Sequence, residues 1–191
     1  FNDTKTEDED LYRFLDDAEK VLGVKVTRDA DGRDIWQVFK DERFLGNSKV
    51  DPCSKILKRK RGDAFIHRYS PDSVVICFGF DWNEPHRSED MVKNYSPYSC
   101  RFPMQEKPLL EKCDMLAEIE SDGIKPPRLY AMGFKHNNCG GFCIKAGISH
   151  YVHLYRTWPE RFRYFESREE EIRQHLQRDV SVLKDRRQAG L

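Results

Sequence analysis

The sequence predicts an α/β domain built on a parallel sheet with flanking helices. Three observations predict it. Apolar residues at helical spacing recur along the chain and are interrupted by short β-branched runs. The clearest such run, Ser73 to Phe80, is continuously apolar, which suits a strand buried on both faces. Strand patterns alternating with helical ones are the mark of parallel βα organisation.

The elements follow in order. Residues 7 to 22 predict a helix, with Leu11, Phe14, Leu15, Ala18 and Leu22 on one stripe. Thr6 suits its N-cap, acids fill the first turn, and Gly23 stops it. Val24 to Thr27 reads as a short strand closed by Asp31-Gly32. Trp36, Phe39 and Phe44 mark a short helix or ordered loop. A basic helix runs from about Cys53 to Tyr69, with Ile56, Leu57, Ala64 and Phe65 inward. The central strand at 73 to 80 opens into a polar loop, and residues 86 to 95 and 109 to 120 read as helices. Leu109, Leu110, Cys113, Leu116 and Ala117 form the inward face of the second. Pro126-Pro127 opens a turn, residues 136 to 147 are rich in Gly and Asn, and helical patterns at 145 to 157 and 159 to 187 finish the chain. Residues 1 to 135 therefore read as the α/β body. Residues 136 to 191 read as a Cys/Gly-rich loop and helical extension of the same domain.

Composition narrows the function classes. The 191 residues carry 33 basic and 33 acidic side chains, so bulk charge gives no case for a nucleic-acid coat protein. No apolar run approaches the roughly 20 residues of a membrane helix. The polar, acidic start predicts no signal peptide, hence a cytoplasmic protein with reduced thiols. Of the six cysteines, Cys77 and Cys113 sit in apolar patterns and read as core; Cys100 fits either role. Cys53, Cys139 and Cys143 stand among Gly, Asn and basic residues and need another explanation.

The segment His136 to Gly147 is the strongest local signal. Two thiols in C-x3-C spacing, with glycines between them, can converge on one metal or cluster, and His136 is a further candidate ligand. The competing reading is a glycine turn with two structural thiols. Cys53 opens a helix that carries Lys55, Lys58, Arg59, Lys60 and Arg61. That setting predicts a lowered thiol pKa, a phosphate site, or simply a solvated basic face. Asp81, Glu84, His86 and Arg87 follow the central strand, and Trp82 could stack on a base. Loops after parallel strands are where such folds bind ligands, so residues 2 to 6 and 80 to 87 are expected to share one sheet edge.

Taken together, four segments resemble the PAPS reductase-like branch of the PP-loop ATP pyrophosphatase superfamily. Asn2-Asp3-Thr4 with Glu7 is similar to the family's Asp-Thr-Gly…Glu-Thr segment. Asp51 to Lys55 resembles its Cys-rich helix start, Gly79 to Arg87 its nucleotide-side strand and loop, and Cys139-Gly140 the reductases' nucleophile motif. The pattern from Leu129 to Gly147 looks closest to phage and mobile-element members. The resemblance implies a HUP-like, adenine nucleotide alpha hydrolase-like fold apparently lacking its first βα unit. The family's Ser-Gly-Gly-x-Asp-Ser phosphate loop is not in the sequence and would precede Phe1. Lys5 replaces the family's Gly, and Asp81 stands where the reductases have Arg, which argues against PAPS itself as the ligand.

The resemblance implies binding of ATP or another adenine nucleotide, with Asp3, Thr4, Glu7, Lys55, Lys58 and Arg87 around it. It implies catalytic thiols at Cys139 and Cys143 for sulfur transfer or thiol redox chemistry. Some relatives hold a [4Fe-4S] cluster on three cysteines, which here would be Cys53, Cys139 and Cys143. Zinc on the same thiols, with His136, is the structural competitor. The alternative is an inactive interaction module, as in CRISPR-associated and phage members, with its basic run on nucleic acid or a protein partner. An open first sheet edge would also leave room for another chain, a second copy included.

Overall fold

The computed structural model describes residues 1–183. In chain order the elements are β1 (Asn2–Asp3), α1 (Glu9–Leu22), β2 (Asp29–Ala30), α2 (Ile35–Asp41), α3 (Pro52–Ser54), a π-helical segment (Lys55–Arg59) and α4 (Lys60–Ile66). There follow β3 (Val75–Cys77), α5 (Pro85–Asn94), β4 (Ser99–Arg101), α6 (Lys112–Ser121), α7 (Arg128–Ala131), α8 (Ile148–Thr157) and α9 (Pro159–Leu176). Each strand pair is parallel: β1 with β2, and β3 with β4. Each pair is joined through a helix, α1 in the first and α5 in the second, so the parallel α/β reading holds at the level of the βαβ unit. One continuous sheet is not formed among the described residues; there are two sheets of two strands. None of the described helices is long and apolar enough to cross a membrane.

The chain divides into two compact units, residues 1–62 with 124–191, and residues 63–123. In the first unit the core is aromatic. Trp36 and Phe39 of α2 are fully buried, as is Phe165 of α9. Phe142 stacks on Phe165 at 4.2 Å between ring centroids and lies 5.4 Å from Trp36. Ring pairs of this kind add about 0.5–1.5 kcal/mol each beyond burial. Leu129, Leu154 and Ile172 close the same cluster. The helix predicted over 159 to 187 ends at Leu176, with Gln177 left-handed at its C-cap; residues 184 to 187 lie outside the described residues.

Several local expectations change. Helix α1 begins at Glu9, with Asp8 rather than Thr6 at its N-cap. Its predicted stripe is only half-buried and Leu22 is exposed, while Gly23 caps the C-terminus in the left-handed region as expected. What holds the start of α1 is ionic. Arg13 pairs with Asp10 and Asp17 and donates to the carbonyls of Lys125 and Pro126; Arg128 pairs with Asp8. The strand predicted at Val24 to Thr27 forms instead at Asp29–Ala30, immediately before the turn. Ala64 is exposed and Phe65 half-buried, against the expectation for the basic helix, and Phe44 is exposed beyond α2.

The second unit corrects more. Its strand β3 spans only Val75–Cys77, and Val75 is 54% exposed. Cys77 and Cys113 are exposed, not core. Helix α6 buries no residue fully; Leu109 and Ala117 are exposed, while Met115, Leu116 and Ile119 are half-buried. The physical reason is the sheet. A strand in a two-stranded ribbon has one neighbour, so an apolar run that would fill the centre of a wide sheet stays open.

Candidate functional site

The site in the first unit is assembled from three segments far apart in sequence. The first is the turn after β1. Thr4 and Glu7 are buried, and the Thr4 hydroxyl donates to Glu7 Oε1 at 3.0 Å. The second is the helix entered at Pro52. The third is the Cys139–Gly141 turn, whose Cys139 N–H donates to Glu7 Oε2 at 2.7 Å. Lys58 Nζ, from the π-helical segment, lies 3.5 Å from Glu7 Oε1. One buried carboxylate thus touches all three segments.

Local sequence explains each placement. The π-helical turn at Lys55–Arg59 seats Ile56 and Leu57 in the core. It also sets Lys58 against Glu7 and lets Asn2 Nδ2 donate to the Lys58 carbonyl at 3.2 Å. Asp51 caps the helix start and accepts from Arg59 at 2.9 Å and Lys145 at 3.3 Å. In the third segment Phe142 anchors the turn in the aromatic core, which fixes Cys139 and Cys143 on either side of it. Tyr151 donates its hydroxyl to the Cys143 carbonyl at 2.8 Å, and His150 Nε2 lies 2.8 Å from the Gly141 carbonyl. Cys139, Gly140 and Gly141 are all left-handed, with φ of 49°, 59° and 84°. A cysteine there carries strain of roughly 1–3 kcal/mol, the kind held at functional sites.

The three predicted thiols lie in the same unit, within electrostatic reach of one another. Cys53, Cys139 and Cys143 each act electrostatically on the others, with Lys58 and Glu7 among them. Burial pushes the Cys53 thiol up to about 11, with Cys143 and Asp51 adding to the rise. This overturns the lowered pKa expected from its helix N-terminus and basic neighbours: desolvation outweighs them. Burial likewise holds the Cys139 thiol far above its ordinary range, opposed by the Lys58 ammonium. Burial works against the charge of Lys58 itself, but Cys139, Glu7 and Cys143 more than offset it and raise its pKa. Cys143 is half-buried and is the most accessible of the three.

Other predicted residues have settings of their own. Asp3 is buried and turned to its own partners. It accepts from the Lys5 N–H and the Tyr12 hydroxyl, both at 2.8 Å, and Lys5 Nζ lies 3.1 Å away. Burial disfavours its charge, yet those bonds hold its carboxyl below the usual range. Lys55 and His136 are exposed. Arg87 lies in the second unit, paired with Glu84 at 2.8 Å and 4.0 Å over the Phe80 ring. Trp82 is partly exposed there, and Asp81 keeps one buried carboxylate oxygen without a partner. Residues 2 to 6 and 80 to 87 belong to different sheets in different units, so the expected shared edge is not formed.

Among the described residues no group of three or more His, Cys, Asp or Glu is disposed to hold a metal ion. The donor type is three soft thiols, which suit zinc or an iron–sulfur cluster. Asp51, Lys145, Tyr151 and Arg161 were not among the predicted site residues. Three of these four reach the site through backbone carbonyls or through one another's charges, which leaves no motif in the sequence. Asp51 was readable as the N-cap before Pro52. Compared with protein-family models, with curated proteins and with solved structures, the chain matches none.

Proposed function

We propose that the first unit is a thiol centre for sulfur transfer or thiol redox chemistry. The observation that carries this reading is the Glu7 carboxylate, which joins the Cys139 turn to Lys58 on the helical segment that Cys53 opens, with Cys143 in electrostatic reach of the same lysine. Cys143, the most accessible thiol, is the one that meets a donor. Its thiolate attacks the outer sulfur of a persulfide donor. The new S–S bond forms at Cys143, the donor's S–S bond breaks, and the donor leaves as a thiolate that takes up a proton. Lys58 supplies the positive charge that favours anionic sulfur in this otherwise desolvated setting.

Three thiols are also the ligands of a [4Fe-4S] cluster with one iron left without a protein ligand, and Cys53, Cys139 and Cys143 would hold it. The cluster would supply a site for sulfide at that iron. The adenine-nucleotide part of the reading rests on the family resemblance. Glu7 and Lys58 already satisfy each other, so the weight of the proposal lies on the thiols.

Preparation without oxygen, followed by iron, zinc and acid-labile sulfide assays, tests the cluster. Bound iron and sulfide lost in Cys139→Ser support it; a colourless, iron-free protein removes it. Treatment with a persulfide donor tests the transfer. With Cys77, Cys100 and Cys113 replaced by Ser, one added sulfur that is absent when Cys143→Ser is added is expected; no added mass overturns it. Calorimetry with ATP tests the nucleotide.

A further inference from the structure

Arg161 is a half-buried cation whose nearest acids, Asp8 and Glu9, act on it from beyond ion-pair distance. Its Nε donates to the Gly140 carbonyl and its Nη2 to the Thr6 carbonyl, both at 3.3 Å. It forms no ion pair among the described residues. Its guanidinium lies over the rings of Phe165 at 4.8 Å, Trp158 at 5.5 Å and Tyr164 at 5.6 Å. Burial disfavours its charge. Burying part of a cation has a desolvation cost, which the two carbonyls, the three ring faces and the fields of Asp8 and Glu9 offset.

The two carbonyls identify its role. Thr6 precedes Glu7 and Gly140 follows Cys139, and Glu7 accepts the Cys139 N–H. No backbone–backbone hydrogen bond joins residues 4–7 to the 139–141 turn among the described residues. The two segments are held by side chains, Glu7 from one direction and Arg161 from the other. Gly140 is shaped for this contact. A Cβ there would lie 2.1 Å from Arg161 Nη2 and 2.9 Å from the Thr6 carbonyl oxygen.

We propose that Arg161 is the positioning residue of the thiol site, holding the strained Cys139–Gly141 turn against residues 4–7 so that Cys139 meets Cys53 and Cys143. The proposal rests on the thiol-centre reading above. Arg161 acts through the two carbonyls it grips.

Phenylarsine oxide is the probe. Its trivalent arsenic condenses with two thiols, forming two As–S bonds and releasing one water, with no change of oxidation state. Bridging succeeds only where two thiols are held in reach of one arsenic. The experiment uses the full chain, reduced and anaerobic, with Cys77, Cys100, Cys113 and Cys143 replaced by Ser, so that Cys53 and Cys139 are the two thiols to be bridged. The parent is expected to capture the arsenical, and Cys139→Ser to lose it. Arg161→Met should weaken capture at least about tenfold, because the second bond loses its effective concentration. Added guanidinium ion should restore part of the capture in Arg161→Ala and none in Cys139→Ser, a rescue that general destabilisation would not give. Arg161→Lys, which keeps charge but loses the planar fork, should fall between parent and Met, and it decides the matter where the Met and Ala variants do not fold. Capture equal to the parent in the folded Arg161 variants overturns the positioning role alone. A parent that captures no arsenical overturns the thiol-centre reading, and this role with it.

Discussion

Glu7 sits at the point where the three segments of the thiol site meet. Its carboxylate accepts from the Thr4 hydroxyl and the Cys139 N–H and faces Lys58. Replacing it by Gln keeps an acceptor but leaves Lys58 without its anion. Loss of about 1–3 kcal/mol is expected for Glu7→Gln in urea unfolding. The thiols give a second prediction at this scale. Exposed Cys77 and Cys113 should alkylate first, half-buried Cys143 next, and buried Cys53 and Cys139 last, as followed by mass mapping near pH 8. Early labelling of Cys53 would contradict the burial assigned to it. Asp10 gives a pH prediction. Arg13, and the Arg128 N–H, hold its carboxyl at about 2 despite some burial. A carboxyl lowered in the fold contributes stability that is complete above about pH 4 and fades as pH falls towards 2. After solvent screening this is worth about 1 kcal/mol. The melting temperature of Asp10→Asn should therefore lie below the wild type at neutral pH and converge with it near pH 2.

At the scale of elements, the turn at Cys139–Gly141 depends on Phe142. That ring packs against Trp36 and Phe165, so α2 and α9 hold a loop they do not belong to. Trp36→Ala should cost about 3–5 kcal/mol by opening this cluster, and it should also loosen the thiol turn. Some helix positions were legible in the sequence: α5 and α8 form close to residues 86 to 95 and 145 to 157. The central strand was the least legible. Its apolar run signals a wish for burial, but the neighbours that could provide it are set by the whole topology, and among the described residues β3 pairs with β4 alone. The Cys/Gly segment was legible because chemistry and backbone freedom coincide in it. Arg161 was not, since its acceptors are carbonyls 21 and 155 residues away.

At the scale of the molecule, burial is unevenly shared. Every fully buried apolar side chain among the described residues lies in the first unit, and Ser88 is the only fully buried residue from 63 to 123. Local stability follows buried apolar contact. Amides of residues 63–123 are expected to exchange faster than those of α2, α8 and α9, as read by hydrogen-exchange mass spectrometry; equal protection would contradict this partition. The central claim concerns the first unit. It is tested most directly by cross-linking the reduced chain with dibromobimane, which joins only thiols a few ångströms apart, and sequencing the linked peptides. A bridge between Cys53 and either Cys139 or Cys143 is the predicted product. Bridges confined to 139 and 143, with Cys53 only singly modified, would contradict the account.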